Sequence, residues 1–172
     1  MSIEESKQLI RRFYTGVVGG GDYSKLDHFV ASDYVDHNAA EESGCGPEVV
    51  RTHVESIRMT LPDFAIQIED IFAEGDHVIT RVTGRGSHLC EWMDVEPTGR
   101  EVRLKGINID RVHRGRIAEH WGEADAIGML VQMGVDPIVK RSRGTMSTAF
   151  QGVSRVPDGA RPANRAAARQ GA

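Results

Sequence analysis

FAIQIEDIFAEGDHVITRVTGRGSH, residues 64 to 88, decides the fold. Phe64, Ile66 and Ile68 alternate with polar residues, a period of two that marks a half-buried strand. EGD at 74 to 76 reads as a turn, and HVITRVTGRGSH supplies a second, longer strand in which Gly84 and Gly86 are expected to permit a bend or bulge. Downstream, VRLKGINIDRVHRGRIAEHW, residues 102 to 121, gives two more strands joined at HRGR, with Gly115 suited to the positive φ of a tight turn. Upstream of Pro62 the period is helical. SIEESKQLIRRFYTGVV sets Ile3, Leu9, Ile10, Phe13, Tyr14, Val17 and Val18 on one face, with Ser2 and Glu5 as a capping box, and stops at Gly19 to Gly21. A second helix is predicted near SKLDHFVA, residues 24 to 31, and a third from Pro47 to Leu61 with Pro62 closing it. ADAIGMLVQMG, residues 124 to 134, makes a last short helix with Gly134 just past its end. Helices followed by a strand meander indicate an α+β domain, a curved antiparallel sheet covered by N-terminal helices, with an apolar hollow between the layers.

Composition narrows the partners. The chain has 172 residues, 40% of them hydrophobic, and a net charge of −4. Residues 138 to 172 hold seven Lys and Arg against one acid, Asp158, and so carry +6, which leaves −10 for residues 1 to 137. An acidic body repels phosphate backbones, so no nucleic-acid partner is expected. The tail, rich in Ala, Gly, Ser, Pro and Arg, is read as disordered, and the boundary is placed at 137/138. There is no stretch of 18 apolar residues, and the charged N-terminus does not look like a signal peptide, so no membrane partner and a cytoplasmic location are expected. Cys45 and Cys90 stand far apart without a CxxC pattern and read as free thiols.

Candidate chemistry centres on IAEHWGEAD, residues 117 to 125. His120 ends the last strand and is the first acid/base candidate. Glu123 and Asp125 follow closely enough to assist it, although Asp125 equally suits the cap of the following helix. His37, after the alternating DYVDH, and His88, after GRGS, also lie at strand ends that could converge on a cavity mouth. His28, His53, His77 and His113 read as solvated residues of helix surfaces and turns. Asn108 shares a strand face with Gly106 and Asp110 and could donate a hydrogen bond into the hollow. Trp121 is expected beside His120, and Trp92, with Met93 and Val95, suits a lid over an apolar ligand or a contact between subunits. No HxH or HExxH spacing supports a metal site.

The ordered set RRFY, GD at 21 to 22, YVDH, GP at 46 to 47, residues 64 to 88, PTGR at 97 to 100 and GRIAEHWGEADAIGMLVQMG resembles the SnoaL-like polyketide cyclases, or ester cyclases, of the nuclear-transport-factor-2-like superfamily. The resemblance covers about residues 4 to 136. It implies an NTF2-like α+β cone, cofactor-free chemistry on a small apolar polyketide-like carbonyl substrate, and a homodimer or higher homo-oligomer packed through the sheet. It also implies an acid/base aspartate on the last strand, two residues after a histidine. Counted from His120, that position is Gly122.

Three readings follow. In the first, an enzyme of cyclase or isomerase type uses His120 in place of the absent aspartate, with His37, His88, Asn108, Trp92 and Trp121 against the substrate. In the second, the same hollow binds a small molecule without reaction, as Gly122 would suggest. The third, a hydrolase, dehydratase or hydroxylase on the same fold, requires a paired Asp and Arg or a second carboxylate inside, for which Arg81, Arg111 and Asp110 are the residues to check.

Overall fold

A computed structural model describes residues 1 to 40 and 43 to 135 of the chain. The basic tail and the domain boundary proposed at 137/138 lie outside the described residues. Helix α1 (Ile3–Arg12) starts on the expected capping box: the Glu5 backbone N–H donates to the Ser2 hydroxyl, and the Ser2 backbone N–H donates to the Glu5 carboxylate at 2.7 Å. It runs into a π-helical segment (Phe13–Gly19), whose wider turn brings Phe13, Tyr14, Val17 and Val18 all into the core.

The second helix is shorter than its sequence suggests. Helix α2 (Leu26–Phe29) gives way at Val30 to strand β1 (Val30–Asp36), because Val30 and Tyr34 are buried by pairing beside the sheet rather than by a helical face. Helix α3 (Pro47–Thr60) then buries Val49, Val50 and Val54. Strands β2 (Ala65–Glu74), β3 (His77–Ser87), β4 (Glu101–His113) and β5 (Arg116–Ala124) form the meander, and α4 (Ala126–Met133) closes the domain.

The sheet is curved and unclosed, in the order β1-β5-β4-β3-β2. Its four meander strands are antiparallel, while β1 pairs parallel with β5, so the expected all-antiparallel sheet is corrected at its edge. That edge strand arrives through α2 and departs toward α3, the long connections that parallel pairing requires. The β4–β5 turn has Arg114 and Gly115 both at positive φ, the type I′ geometry whose twist matches flanking strands.

Gly84 and Gly86 serve a purpose other than the expected bulge. The β3–β4 register runs without interruption past both, whereas the irregularities fall at Val30/Val35, Ile68/Asp70 and Arg111/Val112. A Cβ on Gly84 would lie 2.6 Å from the Phe64 ring, and one on Gly86 would lie 2.9 Å from Leu61 Cβ. The glycines let the chain after α3 press onto the sheet. Among the described residues, no helix is long and apolar enough to cross a membrane.

Candidate active site

Alternation along the strands sorts side chains into an inner and an outer set. On β4 the even-numbered Leu104, Gly106, Asn108 and Asp110 face the helices, and on β5 His120 and Ala124 do so. All of these except Asp110, which stands behind His120, line a cavity of about 120 Å³ together with Tyr14, Tyr34, Val50, His53, Val54 and further residues of the helical layer. Among the described residues, neither Lys nor Arg lines it.

Its polar corner is built on three adjacent strands. Asp36 on β1 and Asp110 on β4 are the register partners of His120 on β5, one on either side. His120 Nδ1 lies 2.8 Å from Asp110 Oδ1, and the Tyr14 hydroxyl donates to Asp110 Oδ2 at 3.1 Å. Asp110 is 1% exposed, and so deep a carboxylate requires such partners. The π-helical segment is what aims Tyr14 at the sheet.

Burial by itself would push the His120 pKa down. The Asp110 hydrogen bond, the Asp110 charge and the Asp36 charge together outweigh it and raise the pKa above the ordinary histidine value. Tyr14 is held well above the usual phenol range by burial and then by the Asp110 carboxylate, so it remains a hydrogen-bond donor. With Nδ1 committed to Asp110, His120 Nε2 is the atom left to serve the cavity.

The convergence of three imidazoles expected from sequence does not occur. His37 lies on the outer face, its ring stacked on Trp121 at 4.4 Å and bonded to Glu119 at 2.9 Å, because Asp36 takes the inward position on β1. Trp121 is likewise outward, the neighbour of His120 on an alternating strand. His88 is fully buried but lines no part of the cavity: the Thr98 N–H donates to its Nδ1, fixing the loop between β3 and β4. Trp92 packs against the core and pairs with Val95 across a tight turn.

Glu123 is exposed on the outward register of β5, opposite Ile107. Asp125 caps α4, accepting the Gly128 N–H at 2.8 Å. Neither lines the cavity with His120. Arg81 and Arg111 also point outward, paired with Asp70 and Glu119, so the third reading's Asp and Arg pair is not formed, whereas Asp36 and Asp110 do place two carboxylates on the inner side. Of the sequence candidates, His120 and Asn108 share the cavity. Tyr14, Asp36 and His53 join them without having been assigned there, and Asp110 stands behind His120 as its hydrogen-bond partner.

Gly122 explains the missing aspartate. A Cβ at this position would lie 2.8 Å from both His120 Nε2 and Asn108 Oδ1, so these two side chains occupy the space an aspartate would need. The Gly122 backbone is held instead by the Asn38 amide, which accepts its N–H and donates to its C=O, each at 2.6 Å. The carboxylate beside the imidazole comes from the neighbouring strand, as Asp110.

Comparison with known proteins agrees with the architecture. Among curated proteins no match is found. Of solved structures, TsrD from Streptomyces laurentii shares 27% identity and a TM-score of 0.70, over 78% of this chain and 98% of its own. IdmH from Streptomyces antibioticus, a candidate polyketide cyclase, shares 33% identity and a TM-score of 0.67, over 76% of this chain and 99% of its own. AclR, a candidate hydroxylase from Streptomyces galilaeus, has the same fold at 24% identity and a TM-score of 0.66, over 81% of this chain and 91% of its own. The family model described as SnoaL-like polyketide cyclase matches residues 8 to 133, and with that match across most of its length the chain belongs to the SnoaL-like polyketide cyclase family.

Proposed function

We propose that the protein is a proton-transfer enzyme that acts on a small, largely apolar carbonyl compound, with His120 as acid/base and Asp110 and Tyr14 positioning it. The observation that carries this reading is the Asp110–His120 pair at the polar end of an otherwise apolar chamber. When His120 is neutral, Asp110 accepts from Nδ1–H and leaves the Nε2 lone pair to take a proton. When it is charged, Nε2–H can donate one. A raised pKa brings both forms within reach near neutral pH.

The chamber limits the substrate. At about 120 Å³ it approaches the ~150 Å³ cavity known to hold one benzene, so it suits one ring or a folded chain of similar size. The similarity to IdmH supports a polyketide-like compound whose reacting portion enters while the remainder stays at the mouth. Two inner carboxylates, Asp36 on the lining and Asp110 behind His120, with no Lys or Arg among the described lining residues, disfavour anionic substrates. Enolisation of a ketone followed by aldol ring closure needs only proton donors and acceptors, and would run without a cofactor.

Gly122 supports a second reading, a binding protein that leaves its ligand unchanged. Ring closure of 2,6-heptanedione to a cyclic β-hydroxy ketone, followed by the absorbance of the enone formed from it on loss of water, separates the two. Catalysis is expected in the wild type, with turnover reduced about 10²- to 10⁴-fold by His120→Ala. Diketone recovered intact from the wild type would favour binding alone, and wild-type turnover by His120→Ala would overturn the assigned role.

A second copy of the chain is proposed to cover the outer sheet face, where Val35, Phe72, Ile79 and Ile107 are exposed.

A further inference from the structure

The chamber contains a second imidazole, at its entrance. His53, on α3, lies across from the sheet and lines both the chamber and an adjoining cavity of about 300 Å³ bounded by Asn38, Ser43, Thr52 and Ser56 among others. Among the described residues, Asp36 and His53 alone are common to the two linings, so they form the neck between an apolar interior and a polar vestibule. A substrate entering from the vestibule would pass His53 and then meet His120 at the sheet.

We propose that His53 and His120 work as a pair across the chamber, His53 removing the proton from the carbon beside the substrate carbonyl and His120 delivering one to the carbonyl oxygen. This deepens the proton-transfer reading above and rests on it. As the C–H bond breaks, its electron pair forms the C=C bond of an enol, and the former C=O π pair takes the proton from His120 Nε2. Ring closure reverses the traffic. The enol carbon attacks the second carbonyl, the new alkoxide takes the proton held by His53, and the enol O–H returns its proton to His120. No oxidant or reductant enters, and both imidazoles finish as they began.

The surroundings suit these opposite tasks. His53 is exposed on the vestibule side, yet enough protein surrounds its ring to lower its pKa. The Asp36 charge opposes that lowering, and the proximity of His120 adds to it. His120 is shifted the other way because Asp110 and Asp36 flank it, with Tyr14, Tyr34 and His53 the other titratable groups of the chamber. His53 is therefore biased toward its neutral form and His120 toward its charged form. Titratable groups driven apart by their environments are a recurring signature of acid and base roles.

The test is the pH profile of 2,6-heptanedione ring closure in the wild type and in His53→Gln and His120→Gln. A bell-shaped profile is expected, its acidic limb lost in His53→Gln and its alkaline limb lost in His120→Gln. His53→Gln should lower kcat about 10²-fold with KM changed by only a few-fold. Wild-type kcat with an intact acidic limb in His53→Gln, while His120→Gln is impaired, would overturn the pair and leave the role of His120 standing. Unimpaired turnover in both variants, or no closure by the wild type, would remove the proton-transfer reading itself. An NMR titration provides a readout that needs no substrate: His120→Gln should raise the His53 pKa, and an unchanged value would contradict the coupling.

Discussion

His120 and Asp110 face one another across β5 and β4 as direct register partners, with Nδ1 2.8 Å from Oδ1, and the Tyr14 hydroxyl donates to the carboxylate's second oxygen. The strand pairing itself creates the dyad: inward alternation on two neighbouring strands puts an acid and an imidazole side by side beneath the helices. Asp110→Asn keeps the shape and removes the charge. Turnover of 2,6-heptanedione should fall by about 10²-fold, since the imidazole loses both its orientation and its charged form. Wild-type kcat in this variant would contradict a positioning role for Asp110.

Tyr14 closes the other side of that carboxylate. Tyr14→Phe leaves Asp110 Oδ2 buried without its donor, a loss worth about 1–3 kcal/mol. Urea unfolding should show the midpoint drop with little change in slope. An unchanged midpoint would mean the hydroxyl contributes nothing to holding the acid.

Gly122→Asp tests whether the family's aspartate can simply be restored. Its Cβ would press on His120 Nε2 and Asn108 Oδ1, so the variant should lose about 1–3 kcal/mol of stability and gain no activity. Increased turnover at full stability would show that the pocket accommodates the carboxylate after all.

Stability should also depend on pH in opposite senses at the two imidazoles. The folded-state pKa of His120 is raised, so its stabilisation is full below the unfolded value of about 6.5 and is lost as pH rises through the folded value. The advantage of wild type over His120→Gln should therefore shrink from mildly acid to mildly alkaline pH. His53 is lowered, so its contribution is present above about 6.5 and lost as pH falls through its folded value. His53→Gln should resist mild acid better than the wild type. Melting temperatures across this range check both signs, and parallel curves for all three proteins would contradict them.

The outer face carries the assembly prediction. Phe72→Lys combined with Ile107→Lys puts charge on the patch proposed to be shared by two copies. Light scattering should report a dimer for the wild type and a monomer for the double variant. A wild-type monomer at micromolar concentration would rule the assembly out.

Much of this architecture was legible from period alone. Residues 64 to 88 and 102 to 121 alternate cleanly, and the capping box of α1 and the Arg114–Gly115 turn fell where their chemistry indicated. Asn108 and Asp110 share a face by alternation, yet nothing local showed that Gly122 and His120 would be their respective register partners. The choice between Asp36 and His37 was not readable, because DYVDH places an apolar residue on each face and either could have turned inward. His53 was hidden differently. It lies on an amphipathic helix whose inner face also needs one residue at the neck, and only the position of β1 reveals that role. β1 itself was obscured because LDHF forms a helical turn immediately before it.

The most direct measurement is the titration of the His120 ring by heteronuclear NMR, in wild type and in Asp110→Asn. The account predicts a wild-type pKa above the ordinary histidine value, falling on removal of the Asp110 charge. A His120 that titrates at or below the ordinary value, and does so identically in both proteins, would contradict the claim that paired strands hold this imidazole ready for proton transfer.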